Sequence, residues 1–268
     1  MKSITSADNP NFKRWLRLAE SAGEVRSRRQ TLAEGTHLAE AIHASAHPVE
    51  AVLIRRGTRH DEARRWAEHY VAAGAPGFEL SAALFDRLAP VERGTGILLQ
   101  IAVPDAPTPG AGDALFMEGV QDPGNAGALL RVAAAAGLRN VLAAPGSAAL
   151  WSPKVLRGAQ GAHFRLHILE EVTPSGARSV LPMRWIGAAA HAGASLWSVD
   201  LSGPAVGFMV GSEGAGLSPA ASATCDQLVT IPLASGVESL NVAAAAAICL
   251  FERCRQVEAS RARTLPHA

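Results

Sequence analysis

Two neighbouring stretches decide how this chain reads: Val206-Gly207-Phe208-Met209-Val210-Gly211-Ser212-Glu213-Gly214-Ala215-Gly216-Leu217-Ser218, and Gln227-Leu228-Val229-Thr230-Ile231-Pro232-Leu233-Ala234-Ser235-Gly236-Val237-Glu238-Ser239-Leu240-Asn241-Val242. Each opens on a short apolar run, 206–210 and 227–231, of the kind that forms a buried strand. Each run then breaks into a glycine-rich loop. Open α/β sheets bind small ligands where their strands end, and glycine lets the main chain approach a ligand closely. Together the two stretches read as a ligand site; taken singly, each reads equally well as a plain turn. The usual nucleotide signatures are missing. No Gly-x-x-x-x-Gly-Lys-Ser/Thr occurs, and Gly211, Gly214 and Gly216 lack both the dinucleotide spacing and its acidic partner downstream.

A third segment lies upstream. Leu115 to Val120 reads as a strand, Gln121-Asp122-Pro123-Gly124-Asn125-Ala126-Gly127 as a loop, and Ala128 to Ala136 as an alanine-rich helix closed by Gly137. Asn125 stands where an N-cap belongs, with Arg131 six residues on. By itself the segment is most simply a capped helix with a surface arginine.

The three segments in this order resemble the SpoU/TrmH branch of the SPOUT superfamily, RNA ribose 2′-O-methyltransferases that use S-adenosyl-L-methionine. Asn125, Gly127 and Arg131 match the first family motif, Gly211 to Leu217 the second, and Ile231-Pro232 with Ser239-Leu240-Asn241-Val242 the third. The likeness spans about residues 113–258. It departs from the family at Val132, where a small polar residue often follows the arginine, and at Ala243, where a serine often stands.

The resemblance implies a SPOUT-type α/β trefoil-knot domain, preceded by a small α/β substrate-binding domain. It implies methyl transfer to RNA, with rRNA favoured over tRNA, and a homodimer. A non-catalytic RNA-binding or assembly factor on the same scaffold is the alternative. The catalytic set it implies is Asn125, Arg131, Glu213, Ser239 and Asn241. A guanidinium stays protonated at working pH. Arg131 is therefore expected to hold the target phosphate and stabilise the developing alkoxide rather than act as a base. Asn125 would orient phosphate or ribose. Glu213 would fix Arg131 or accept the proton through water. Ser239 and Asn241 would shape the third loop, or else compete as N-cap of the last helix. Cofactor contacts, mostly from the backbone, are expected at Gly187, Ala188, Ala189, Met209, Gly211, Gly214, Ile231, Leu233 and Leu240.

Composition agrees with this. The chain has 268 residues, 48% of them hydrophobic, and a net charge of +1. No apolar run is long enough to span a bilayer, and Met1-Lys2-Ser3-Ile4-Thr5 lacks the core of a signal peptide, so a cytoplasmic location is expected. Cys225, Cys249 and Cys254 read as reduced, packed thiols. No histidine or cysteine spacing suggests a metal site.

Domain organisation follows from the Pro/Gly-rich stretch 104–112, read as a linker between a domain over 1–103 and one over 113–268. Before it, helical patterns at Phe12–Ala22, Leu38–His43, Asp61–Ala73 and Ala82–Leu88 alternate with strands at Ala51–Arg55, Gly77–Leu80 and Gly96–Val103. The string Arg28 to Gly35, leading into a helix, is loosely similar to the RNA-binding domain found ahead of many SpoU-type enzymes. Residues 1–30 hold seven basic side chains against three acidic ones, which makes Arg26, Arg28 and Arg29 the candidate phosphate contacts; a solvated helix face is the plainer source of such a run. After the linker, strands are expected at Val141–Ala143, Leu166–Leu169 and Arg184–Ala188 besides those quoted above, giving a parallel sheet. The last helix, from Asn241 to about Ala259, is apolar nearly all round until Leu250, so it is expected to be buried on several sides, within the chain or against a second copy.

Overall fold

The computed structural model describes residues 1–89, 94–105, 108–212 and 214–264. Glu213, and Ala106 and Pro107 of the expected linker, lie outside the described residues. The chain divides into two compact units: Met1–Asp105 with Ala149–Phe164, and Ala106–Ala148 with Arg165–Ala268.

The first unit runs β1 (Lys2–Ile4), α1 (Pro10–Glu20), α2 (Ala22–Arg28), β2 (Gln30–Glu34), α3 (Thr36–Ala44), β3 (Val49–Arg55), α4 (Asp61–Ala72), β4 (Gly77–Leu80), α5 (Ala82–Leu88) and β5 (Ile97–Ala102). Its sheet has the order β1-β4-β3-β5-β2, with β5 antiparallel to both neighbours. Helix α1 shows why these residues fold locally. The Asn9 side chain accepts from the N–H groups of Asn11 and Phe12, Pro10 opens the first turn, and Phe12, Trp15 and Leu18 bury one stripe. Elements β1, α2 and β2 were not anticipated. Strand β1 is three residues long, and β2 buries Thr31, Leu32 and Ala33 in succession, so it shows no alternation.

Strand β2 is completed by residues far along the chain. Thr31 Oγ1 donates to the Trp151 carbonyl at 2.7 Å, and Arg157 pairs with Glu34 at 3.0 Å. Arg157 lies on α7 (Pro153–Ala159), which packs on β2. Residues 149–164 therefore belong to the first unit although they follow the linker. No local pattern marks this, because the partners lie more than 100 residues apart.

The second unit contains β6 (Ala114–Met117), α6 (Pro123–Ala135), β7 (Asn140–Ala143), β8 (His167–Leu169), α8 (Pro174–Val180), β9 (Arg184–Ala188), β10 (Ala194–Ser195), β11 (Val206–Val210), α9 (Pro219–Thr224), β12 (Gln227–Thr230) and α10 (Val242–Thr264). Its seven strands, all parallel, have the order β10-β12-β9-β11-β6-β7-β8. Strands β6, β7 and β11 are buried at every residue, as parallel strands covered on both faces must be. Phe116, Leu142, Trp185 and Met209 form a core with Ala177 and Ala221 of α8 and α9.

The start of the helix that carries Arg131 needs correction. Helix α6 starts at Pro123, not Ala128, and its N-cap is Asp122, not Asn125. Asp122 Oδ1 accepts the Asn125 N–H at 2.7 Å, so Asn125 sits inside the first turn. Proline favoured as the first helical residue explains the earlier start. Helix α10 is covered by its own chain on one side: Val242, Ala243, Ala246, Cys249, Leu250 and Arg253 are buried, and Ala244 and Phe251 are exposed. Arg253 pins this helix, pairing with Asp113 at 3.0 Å and donating to the carbonyls of Leu201, Gly203 and Pro204.

Burial pushes the thiols of Cys225 and Cys249 up to about 11 and about 12. Both stay protonated at neutral pH and serve as packing groups. Among the described residues no helix is long and apolar enough to cross a membrane.

One buried histidine makes the first unit acid-sensitive. His163 Nε2 donates to the Leu150 carbonyl at 2.7 Å, while buried Nδ1 has no partner among the described residues. Burial pushes this imidazole from 6.5 down to about 4, against the smaller upward pull of the Leu150 bond. Between those values the unfolded chain holds a proton that the folded chain does not. Stability is therefore full above about pH 6.5 and falls as the pH drops toward 4. We expect a loss of about 2 kcal/mol at pH 5 relative to pH 8. Denaturant titrations across this range should show a shallower slope for His163→Leu; an unchanged slope would assign the sensitivity to other groups.

Candidate active site

The C-terminal ends of β9, β11 and β12 surround a cavity of ≈ 420 Å³. Residues 188–192 form one wall, the loop after β11 a second, and the loop after β12 with the start of α10 the rest. Of the expected cofactor positions, Ala188, Ala189, Gly211, Gly214, Ile231, Leu233 and Leu240 line it, and so does Ser239. Gly187 and Met209 do not. They are register partners on β9 and β11, and the cavity opens one residue further along both strands, at Ala188 and Val210. Met209 is fully buried in the core. A Cβ at Gly187 would lie within 2.9 Å of Leu228, Leu217 and Cys225. His191, Ser222 and Glu238 also line the cavity, and no motif in the sequence singled them out.

The loop after β11 is closed by its own backbone. Ser212 and Gly216 form an antiparallel bridge, the Gly216 N–H donating to the Ser212 carbonyl at 2.9 Å. A Cβ on Gly211 would run into the Gly216 backbone, and Gly216 has φ +67°. Glycine is thus required at 211 for close approach and at 216 for conformation.

The first and third motifs meet through two amides. Asn241 Oδ1 accepts from the N–H groups of Ala243 and Ala244 at 3.0 and 3.3 Å, which makes it the N-cap of α10. Its Nδ2 donates to Asn125 Oδ1 at 2.8 Å across 116 residues of sequence. Asn241 is therefore both a helix cap and a tie between motifs. Arg131 is exposed on α6, and among the described residues nothing forms an ion pair with it. Its relation to Glu213 lies outside the described residues.

In the first unit, the arginines proposed for phosphate have neighbours of their own. Arg28 pairs with Glu24 at 2.6 Å. Arg29 takes a left-handed conformation at the end of α2, donates to the carbonyls of Val103 and Pro104, and pairs with Asp105 at 3.1 Å. Arg26 lies on the same helix. The three arginines and Asp105 are exposed and Glu24 is half-buried, so such pairs exchange readily for another anion.

Among the described residues no three His, Cys, Asp or Glu side chains gather as a metal site would need. A second cavity of ≈ 640 Å³, lined by Trp197, Asp200, Arg255 and Arg263 among others, contains no residue of the three motifs.

Known proteins resemble this chain. The model of the SpoU rRNA Methylase family matches residues 114–251, a span that holds all three motif loops. The chain is 33% identical over 254 residues to the 23S rRNA (guanosine(2553)-2′-O)-methyltransferase RlmP of Bacillus subtilis, covering 94% of this chain and 98% of that protein. It is 40% identical over 145 residues to the 23S rRNA (guanosine-2′-O-)-methyltransferase RlmB of a Burkholderia species, 53% of this chain and 58% of that one. Among solved structures, an RNA 2′-O ribose methyltransferase aligns with a TM-score of 0.79 at 30% identity, covering 95% of this chain and 98% of its own. The SpoU methyltransferase AviRb of Streptomyces viridochromogenes, in complex with AdoMet, aligns with a TM-score of 0.84 at 25% identity, over 92% of this chain and 98% of its own. With the motif loops gathered at one end of a parallel sheet and a relative matched along nearly its whole length, the chain belongs to the SpoU rRNA Methylase family.

Proposed function

We propose that this chain transfers a methyl group from S-adenosylmethionine to a ribose 2′-hydroxyl of ribosomal RNA. The observation that carries this reading is the Asn241–Asn125 hydrogen bond. It ties the helix bearing Arg131 to the loop whose other residues wall the cavity. The cavity suits the cofactor: its volume falls within the roughly 300–1,000 Å³ of small-molecule sites. Leu217, Ile231, Leu233 and Leu240 offer apolar surface for a purine, and Ser239, His191 and Glu238 offer polar groups. When bound there, S-adenosylmethionine supplies an electrophilic methyl on a sulfonium.

The chain's own task is to place a 2′-hydroxyl in line with that methyl and to manage its proton. Arg131, always cationic, holds the neighbouring phosphate and stabilises charge developing on the oxygen. Asn125, steadied by Asn241, orients the ribose. Glu213 accepts the proton through water or braces Arg131.

A homodimer belongs to the same reading. Helix α10 presents Ala244 and Phe251 outward, and Phe251 is 49% exposed. A second copy would cover this apolar surface. The family's C-terminal knot, which would thread the segment after β12, is part of the proposal too. The first unit would capture RNA through the face carrying Arg26, Arg28 and Arg29. Ribosomal RNA is favoured over tRNA because RlmP, a 23S rRNA enzyme, aligns along both units.

The direct test is methyl transfer to rRNA from cells lacking the gene, with ribose methylation mapped before and after addition of the protein. Failure to modify any rRNA or tRNA would overturn the reading and favour an assembly factor. On cofactor binding, Gly211→Ala should weaken S-adenosylmethionine affinity by at least about tenfold, since the added methyl collides with backbone that cannot yield cheaply; calorimetry on the full chain measures this. Chemistry should fail elsewhere. Arg131→Ala and Arg131→Lys should both lose on the order of 100-fold in single-turnover transfer while cofactor affinity holds, because an ammonium does not reproduce the guanidinium fork. Near-normal transfer by Arg131→Ala would remove this residue from the mechanism. Replacing Arg26, Arg28 and Arg29 together by Ala should lower RNA affinity and flatten its salt dependence. An unchanged salt slope would return the cluster to an ordinary solvated face.

A further inference from the structure

Glu118 belongs to none of the three motifs, yet it touches both ends of the loop after β11. It follows directly on β6, the neighbour of β11 in the sheet. Its backbone N–H donates to the Val210 carbonyl at 2.9 Å, where the loop begins. Its carboxylate accepts the Ser218 N–H on Oε2 and the Ser218 hydroxyl on Oε1, both at 2.7 Å, where the loop ends. Ser218 in turn caps α9, its Oγ accepting the Ala221 N–H at 3.1 Å. The following residue, Gly119, has φ +65°, and a Cβ there would lie 3.7 Å from that of Ser212. The Glu118–Gly119 turn is thus laid against the neck of the loop.

We infer that Glu118 is the positioning residue of the cofactor loop, clamping the loop after β11 at both ends so that Gly211, Ser212 and residues 214–217 face the cavity in one arrangement. The inference rests on the reading of that cavity as the S-adenosylmethionine site. Its physical basis is the short span of the clamp. The loop leaves β11 and doubles back through the Ser212–Gly216 bridge, with the Ser212 hydroxyl accepting the Ala215 N–H at 3.3 Å, so the tie to the sheet frame comes from outside the loop, at Glu118. A charged acceptor taking two hydrogens from one residue is a strong, directional tie. Holding the loop before the ligand arrives removes an ordering cost from binding. Glu118 itself is not among the residues that line the cavity.

The test uses the full chain, with S-adenosylmethionine affinity by calorimetry, steady-state kinetics on rRNA and thermal melting for each variant. Glu118→Ala should raise Kd and KM for the cofactor about 10- to 100-fold, the worth of a charge-assisted hydrogen bond, with KM for RNA unchanged. Glu118→Gln keeps one acceptor oxygen and should recover most of the loss. The double variant Glu118→Ala/Ser218→Ala should bind no more weakly than Glu118→Ala alone, because both changes remove one contact. A Glu118→Ala chain that melts normally and binds cofactor within about twofold of the unaltered protein would overturn the inference. So would additive losses in the double variant. If Glu118→Ala does not fold, Ser218→Ala and Glu118→Gln decide the matter: several-fold weaker cofactor binding by Ser218→Ala supports the clamp, and wild-type binding by both overturns it. An unaltered chain that fails to bind S-adenosylmethionine removes the cofactor reading itself, an outcome distinct from indifference to Glu118.

Discussion

The hydrogen bonding of β11 between β9 and β6 is the constraint on which the site depends. All five residues of β11 are buried, so the strand has no freedom to slide without exposing apolar surface. Parallel pairing places the C-terminal ends of all three strands, and of β12 beside β9, at one level. Loops separated by long stretches of sequence therefore leave the sheet side by side. The cavity is the space between them, and its depth is set by register: Met209 and Gly187 pair beneath it, Val210 and Ala188 begin its wall.

Above that frame, small polar groups carry two duties each. Asn241 caps α10 through its oxygen and reaches Asn125 through its nitrogen. Ser218 caps α9 and at the same time donates to Glu118. Asp122 caps α6 by holding the N–H of Asn125, which places that residue's side chain toward Asn241. Each helix terminus needs its first N–H groups satisfied in any fold. Here the groups that satisfy them also join one motif to the next, so local helix chemistry and site geometry are coupled. A cap lost at any of these positions would disturb a loop as well as a helix.

The first unit shows the same economy in a different form. Strand β2 is closed on one side by β5 and engaged by residues 149–164, with Thr31, Glu34 and Trp151 supplying the contacts. Arg28 and Arg29 on and after α2 already have acidic partners, and Arg29 has backbone acceptors as well. Exposed pairs of this kind are weak, so neither carboxylate ties its arginine down.

Much of this was written locally. The apolar runs 206–210 and 227–231, the glycines after them and the alanine-rich helix over 128–136 announce strands, tight loops and a helix through periodicity and conformational preference, and these depend only on neighbouring residues. The sequence by itself therefore determined the parallel α/β class and most of the cavity's wall, from Gly211 through Leu240. It did not determine that Gly187 and Met209 fall one residue short of the cavity, that α6 begins at Pro123, that β2 takes its partners from 149–164, or that Glu118 holds Ser218. Those facts were decided by the tertiary structure, because each rests on register or hydrogen bonding between segments far apart in the chain, and local pattern carries no information about which distant residue will arrive opposite.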